Sequence, residues 1–286
     1  MAVRPAMAPE VELVMRRRLG FSLVALILAL AFAVAVDAQR RGRGFGGYIR
    51  TPTPQSFDGR FNFCRVAFAY SNMGDGGGWL VDYPRADVNL SIRLSELTKT
   101  SISTDPDGTP NHLVIRLTDP ELFKCPFIMM TEVGSVYFSP EEAQRLREYL
   151  LKGGFLWADD FWGTWAWDNW ESEFSKVLPP ADYPMKDLPL SHPIFHSQFE
   201  VTKIAQIPSI HHWYGSGGTS ERGADSAQPH VRGISDARQR LMVLITHNTD
   251  FGDSWEREGD DKQYFYTFSV DGYAFGINAL LYGLSH

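Results

Sequence analysis

The chain has 286 residues, 44% of them hydrophobic, with 27 Lys+Arg against 34 Asp+Glu and a formal net charge of −7. An acidic balance of this size argues against a nucleic-acid-binding surface, and no nucleic-acid partner is expected. The length allows one large or two small domains.

Arg16, Arg17 and Arg18 precede an apolar run from Leu19 to Val36, and Val36-Asp37-Ala38 places small residues before Gln39. This pattern predicts a secretory signal peptide over residues 1–38, cleaved after Ala38, with Met15 as an alternative start. An uncleaved anchor is the competing reading, because the run reaches the span of about 18 apolar residues. The expected location is periplasmic or secreted, and membrane contact is expected only through this segment. Cleavage would leave 23 basic against 31 acidic residues, a net charge near −8.

Residues 39–59 are rich in Gly, Arg, Pro and Thr and read as a flexible linker. A single domain is expected over 60–286. Its first strand is predicted at Phe61 to Tyr70, followed by a glycine-rich loop from Asn72 to Gly78 whose spacing fits no phosphate-binding fingerprint. Asp82 as N-cap and Pro84 near the first turn predict a helix, with Ala86, Leu90, Leu94 and Leu97 as its apolar stripe. Strands are expected at His112 to Leu117 and Phe127 to Thr131, separated by a short helix at Asp119 to Lys124. Ser139, Pro140 and Glu142 carry three agreeing signals for a helix start. That helix leads through Gly153-Gly154 to a short buried strand, Phe155 to Ala158.

Further on, a helix is expected at Asn169 to Leu178 and a short strand at Gln198 to Thr202, within a loop-rich stretch from Pro179 to Gly233. A buried strand at Arg240 to Thr246 and a helix at Asp271 to Leu284 complete the chain. The alternation of strands and helices predicts an α/β fold: a three-layer sandwich with a mostly parallel central sheet. Cys64 and Cys125, the only cysteines, are compatible with a disulfide in an exported protein. The strand position of Cys64 tips the expectation toward buried free thiols.

In open parallel sheets ligands bind at the C-terminal ends of the strands. Asn72, Asp75, Glu132, Asp159, Asp160, His247, Asn248 and Asp250 all fall there and form the candidate pocket. Asp159 and Asp160, being adjacent, should point to opposite sides, so that one faces the pocket while the other caps a turn. Five of the eight tryptophans lie between Trp157 and Trp170, and Trp162, Trp165 and Trp167 are candidates for an aromatic platform. His192-x3-His196 has metal-ligand spacing, but its prolines read as an extended turn, and no metal is expected. No cofactor motif is present and none is expected. No G-x-S-x-G or G-x-C-x-G elbow exists, so a covalent mechanism is unsupported.

Several stretches resemble a catalogued bacterial family of unknown function, DUF4159. They are GWLVDYPRADVNLSIRLSELT at Gly78 to Thr98, RLTDPELF at Arg116 to Phe123, FSPEEAQRLREYLLKGGFLWADD at Phe138 to Asp160, LPLSHPIFH at Leu188 to His196 and HNTDFGDSWE at His247 to Glu256. The resemblance implies a flavodoxin-like, class I glutamine amidotransferase-like fold near the trehalose-utilisation group. It implies no activity, and the amidotransferase nucleophile in its elbow is missing. The expected function is therefore the first of two readings, with the second as its alternative. The first is an exported, non-catalytic module that binds a glycan, the cell envelope or a partner protein. The second is a non-covalent hydrolase, metal-dependent in one form, that uses carboxylates and His247 at the sheet edge.

Overall fold

The computed structural model describes residues 49–71 and 75–286. The expected signal segment, the first half of the expected linker and Asn72 lie outside the described residues. Within the expected linker, the Arg50 carbonyl accepts the amide of Val114 at 2.8 Å.

Seven strands form one sheet in the order β3-β1-β4-β6-β9-β8-β7. They are β1 (Phe63–Val66), β3 (His112–Ile115), β4 (Phe127–Thr131), β6 (Phe155–Asp159), β7 (Lys186–Asp187), β8 (His230–Ser235) and β9 (Leu241–His247). The first five positions are parallel and follow the flavodoxin order 2-1-3-4-5. β8 runs antiparallel to β9, and β7 antiparallel to β8. The expected first strand is divided in two. β1 is buried throughout, whereas exposed β2 (Ala69–Tyr70) leaves the sheet to pair with β5 (Val136–Tyr137).

Alternating side chains divide the core into two layers. On one face Val66, Ile128, Met130, Leu156 and Ile245 meet α2 (Pro140–Leu151) and α3 (Gly163–Phe174). On the other, Phe63, Phe127, Met129, Trp157 and Leu244 meet α1 (Arg85–Leu97), α5 (Phe251–Glu256) and α6 (Val270–Ser285). The result is a three-layer α/β sandwich. A short helix, α4 (Ile210–Ser216), lies within the loop-rich stretch.

Four expectations need correction. Cys64 and Cys125 form a disulfide, because β1 and β4 are neighbours and Cys125 enters β4, which brings the two Cα atoms to 6.2 Å. α3 starts six residues earlier than expected, since Asn248 Oδ1, contributed by the end of β9, accepts the Gly163 amide at 2.8 Å. Asp82 does not cap α1. Pro84 holds that position, without a side-chain bond. No strand forms at residues 198–202, where the amides of Gln198 and Phe199 are taken by Asn278 Oδ1.

Candidate functional site

Three adjacent parallel strands end in the same way. Glu132, Asp160 and Asn248 are the first residues after β4, β6 and β9, and all three are left-handed, with φ of 51°, 56° and 60°. Asp82, with φ 63°, is a fourth. Asp and Asn tolerate this region, but Glu does so at a cost, and such residues persist only where their surroundings hold them. Here the Glu132 amide donates to Asp159 O at 2.9 Å, and the Asn248 amide to Phe161 O at 2.9 Å. The chain is thereby turned sharply at the strand ends, and polar side chains that would have followed the strand direction converge.

Asp159 and Asp160 diverge. Asp159 is fully buried and accepts the Phe251 and Gly252 amides at 2.9 and 3.1 Å, together with the Thr246 hydroxyl. It holds the N-terminus of α5 against β6. Burial pushes its carboxyl up to about 7, against the pull of those hydrogen bonds. Asp160 accepts the Trp162 indole at 2.9 Å and turns toward Asp82 and Asp250. One carboxylate oxygen from each of these three acids lies within 4.8 Å of the other two. Burial, then repulsion from neighbouring carboxylates, raises all three well above the ordinary carboxylate range. Asp250 Oδ1 is also the cap of α5, accepting the Asp253 amide at 2.7 Å.

Among the described residues, no arginine or lysine forms an ion pair with these three acids. Arg65, the nearest buried cation, spends its guanidinium on Asp87 and on the carbonyls of Trp79 and Val81. A second acidic group, formed by Asp82, Asp253 and Glu256, is different. Arg257 bridges Asp253 at 3.3 Å and Glu256 at 2.7 Å.

Glu132 stands beside this cluster and is half-buried. Burial raises its carboxyl to about 7, while the amides of Gly78 and Gly77, in the loop after β2, draw it back down. Asp75 in the same loop accepts the Trp162 amide and pairs with Arg222. Arg222 belongs to a segment that covers the strand ends. Asp225 in that segment accepts Thr164 N at 2.9 Å and Thr164 Oγ1 at 2.6 Å. Asn248 Nδ2 donates to Gln228 O at 2.8 Å.

His247 sits apart from the acids. Its Nε2 bonds Gly163 O at 3.1 Å, its Nδ1 meets Arg232 at 3.3 Å, and the rings of Phe161 and Trp167 pack on it. Burial lowers it to about 4, so it is neutral and fully engaged. The three candidate platform tryptophans do not share one exposed face. Trp162 is 4% exposed, Trp167 is half-buried under Arg232, and only Trp165, at 55%, stands in solvent. His192 caps a 3-10 turn and His196 binds Glu200.

Sequence reasoning missed Asp82, because its place just before Pro84 reads as a helix cap, a role it does not fill. It also missed Arg222 and Gly252. No local signal marks them, because their partners lie on other loops. A Cβ on Gly252 would collide with Asp82 Oδ2.

The geometry defines a class: a three-layer α/β domain of flavodoxin-like strand order with an acidic centre at the C-terminal edge of its sheet. The family model described as "Domain of unknown function (DUF4159)" matches residues 65–284, and the chain belongs to that family. No curated protein matches it at a significant level.

Proposed function

We propose that this protein is an exported hydrolase that works without a covalent intermediate, with its reaction centre at the C-terminal edge of the sheet. The observation that carries this reading is the convergence of carboxylates from three left-handed turns, half-buried Glu132 and the buried Asp82 and Asp160, together with buried Asp250. Backbone strain of this kind clusters at functional sites. Glu132 is the acid with access to solvent, and it serves as the proton-transfer group. It takes a proton from the attacking water and returns it to the leaving group as the bond breaks.

Two further points support parts of the reading. The cysteines are consumed in a disulfide, which leaves no thiol nucleophile and suits an oxidising compartment outside the cytoplasm. Trp165, exposed in the first turn of α3, suits stacking against a sugar, so a glycan of the cell envelope is the substrate class. The same ring favours the second reading, a binding module for a glycan or envelope protein without turnover. His247 has no part as acid or base, because both ring nitrogens are occupied.

The test is product analysis by mass spectrometry after incubating purified protein with envelope glycans, alongside Glu132→Gln and Trp165→Ala. Turnover that Glu132→Gln abolishes, while glycan retention persists, supports the hydrolase. Retention without turnover in the wild type, lost in Trp165→Ala, selects the binding module.

A further inference from the structure

We propose that Asp82, Asp160 and Asp250 hold one divalent cation of the hard, oxygen-preferring type. The three acids come from three separate loops, before α1, after β6 and after β9, and are buried to 6%, 6% and 3% exposure. Like charges so placed repel one another. Their hydrogen bonds, from the Trp162 indole to Asp160 and from the Asp253 amide to Asp250, leave oxygens of the set uncommitted.

An independent observation points to a ligand. Asp82 Oδ2 is buried and has no hydrogen-bond partner among the described residues. A buried carboxylate oxygen without a donor is costly, and it is rare unless an ion or ordered water satisfies it. The surroundings are shaped around this atom. It lies over the Cα of Gly252, where any side chain would displace it, and Asp82 itself is held left-handed. The neighbouring group of Asp82, Asp253 and Glu256 is a weaker candidate, since Arg257 pairs with two of its three acids.

The donor set selects the ion. Three carboxylates with no imidazole or thiolate favour calcium, magnesium or manganese over zinc. Ligands opposed across calcium, at bonds of about 2.4 Å, stand about 4.8 Å apart. The observed oxygens all fall within 4.8 Å of one another, close enough to share one ion. Water would complete its shell. The site does not depend on the hydrolytic reading: a protein that only binds its ligand could hold the same ion.

The experiment uses the whole purified protein, stripped with a chelator and titrated with calcium, magnesium and manganese by calorimetry. Terbium luminescence excited through tryptophan is a second readout, because the Trp162 indole touches Asp160. One ion per chain is expected, with terbium emission that calcium or magnesium displaces. Asp82→Asn and Asp160→Asn should each weaken binding at least about ten-fold. Asp225→Asn, an exposed acid on the covering segment, should leave it unchanged. The Asn variants relieve repulsion, so their thermal unfolding in chelator should not fall below the wild type, which separates loss of the site from loss of the fold. The proposal is overturned if no ion binds up to ~10 mM, or if binding survives both substitutions. No substrate enters these measurements, so failure of the site and failure of the proposed activity are told apart.

Discussion

The carboxylate of Asp159 accepts the amides of Phe251 and Gly252 at 2.9 and 3.1 Å, whereas that of Asp160, one residue further on and left-handed, accepts the Trp162 indole at 2.9 Å. The first fastens α5 to β6, and the second completes the acidic cluster. Removing them should therefore have opposite consequences. Asp159→Ala leaves two buried amides without an acceptor and should destabilise the protein by about 3 kcal/mol. Asp160→Asn keeps an acceptor for the indole and removes one of the clustered charges. In chelator at pH 8 it should unfold no earlier than the wild type. Urea unfolding of the two variants measures the contrast, and equal losses would remove the division of labour.

His247 gives a pH dependence with a definite sign. Burial is the main cause that lowers it from 6.5 to about 4, helped by Arg232 and His230 and opposed by the Gly163 carbonyl and Asp225. A depressed folded pKa means that neutral His247 contributes its full stability above pH 6.5, and that this is lost as pH falls toward 4. At pH 5 the loss is about 2 kcal/mol. Gln at this position keeps one donor and one acceptor and does not titrate. The wild type should lose about that much more stability than His247→Gln between pH 7 and pH 5. The acidic cluster titrates in both proteins and cancels in the difference.

The disulfide closes a stretch of 61 residues between Cys64 and Cys125. Chain-entropy arguments put its contribution at about 4 kcal/mol. Replacing both cysteines by alanine, or unfolding in reductant, should lower the urea midpoint accordingly. A midpoint unchanged by reductant would mean that the bond is absent in solution.

What the sequence made legible is local. Ser139, Pro140 and Glu142 announce α2, and the capping box forms, with Glu142 Oε2 accepting the Ser139 amide at 2.9 Å. The apolar runs of β4, β6 and β9 announce the buried parallel strands, and their order places Glu132, Asp160, Asn248 and Asp250 near one edge. What stayed hidden depends on contacts between distant segments. Asn248 starts α3 from another strand, and Asp82 acquires its place only when Gly252 packs beneath it. β8 is hidden for a related reason. Its Gly233 interrupts the pattern because Leu241 and Leu188 fill the space a side chain would take. Tryptophan density misled as well: Trp157, Trp162 and Trp170 are core residues, which the chain alone cannot distinguish from a platform.

Gly252 and Asp82 offer the sharpest test of how the acidic centre is built. Gly252 lies in the first turn of α5, donates its amide to Asp159 and is not among the residues with positive φ. Alanine there would ordinarily be neutral or favourable for a helix. A Cβ at this point instead meets Asp82 Oδ2 and Cγ, and then Asp250 Oδ1 at 3.4 Å. Gly252→Ala should therefore destabilise the protein by about 2 kcal/mol. Asp82→Gly removes the obstructing carboxylate while tolerating the φ of 63°. In that background Gly252→Ala should lose most of its effect, a coupling of about 1–2 kcal/mol in a double-mutant cycle. Calorimetry with calcium should show Gly252→Ala binding more weakly than the wild type, because the displaced carboxylate no longer faces Asp160 and Asp250. Additive effects on stability would mean that the two residues do not touch.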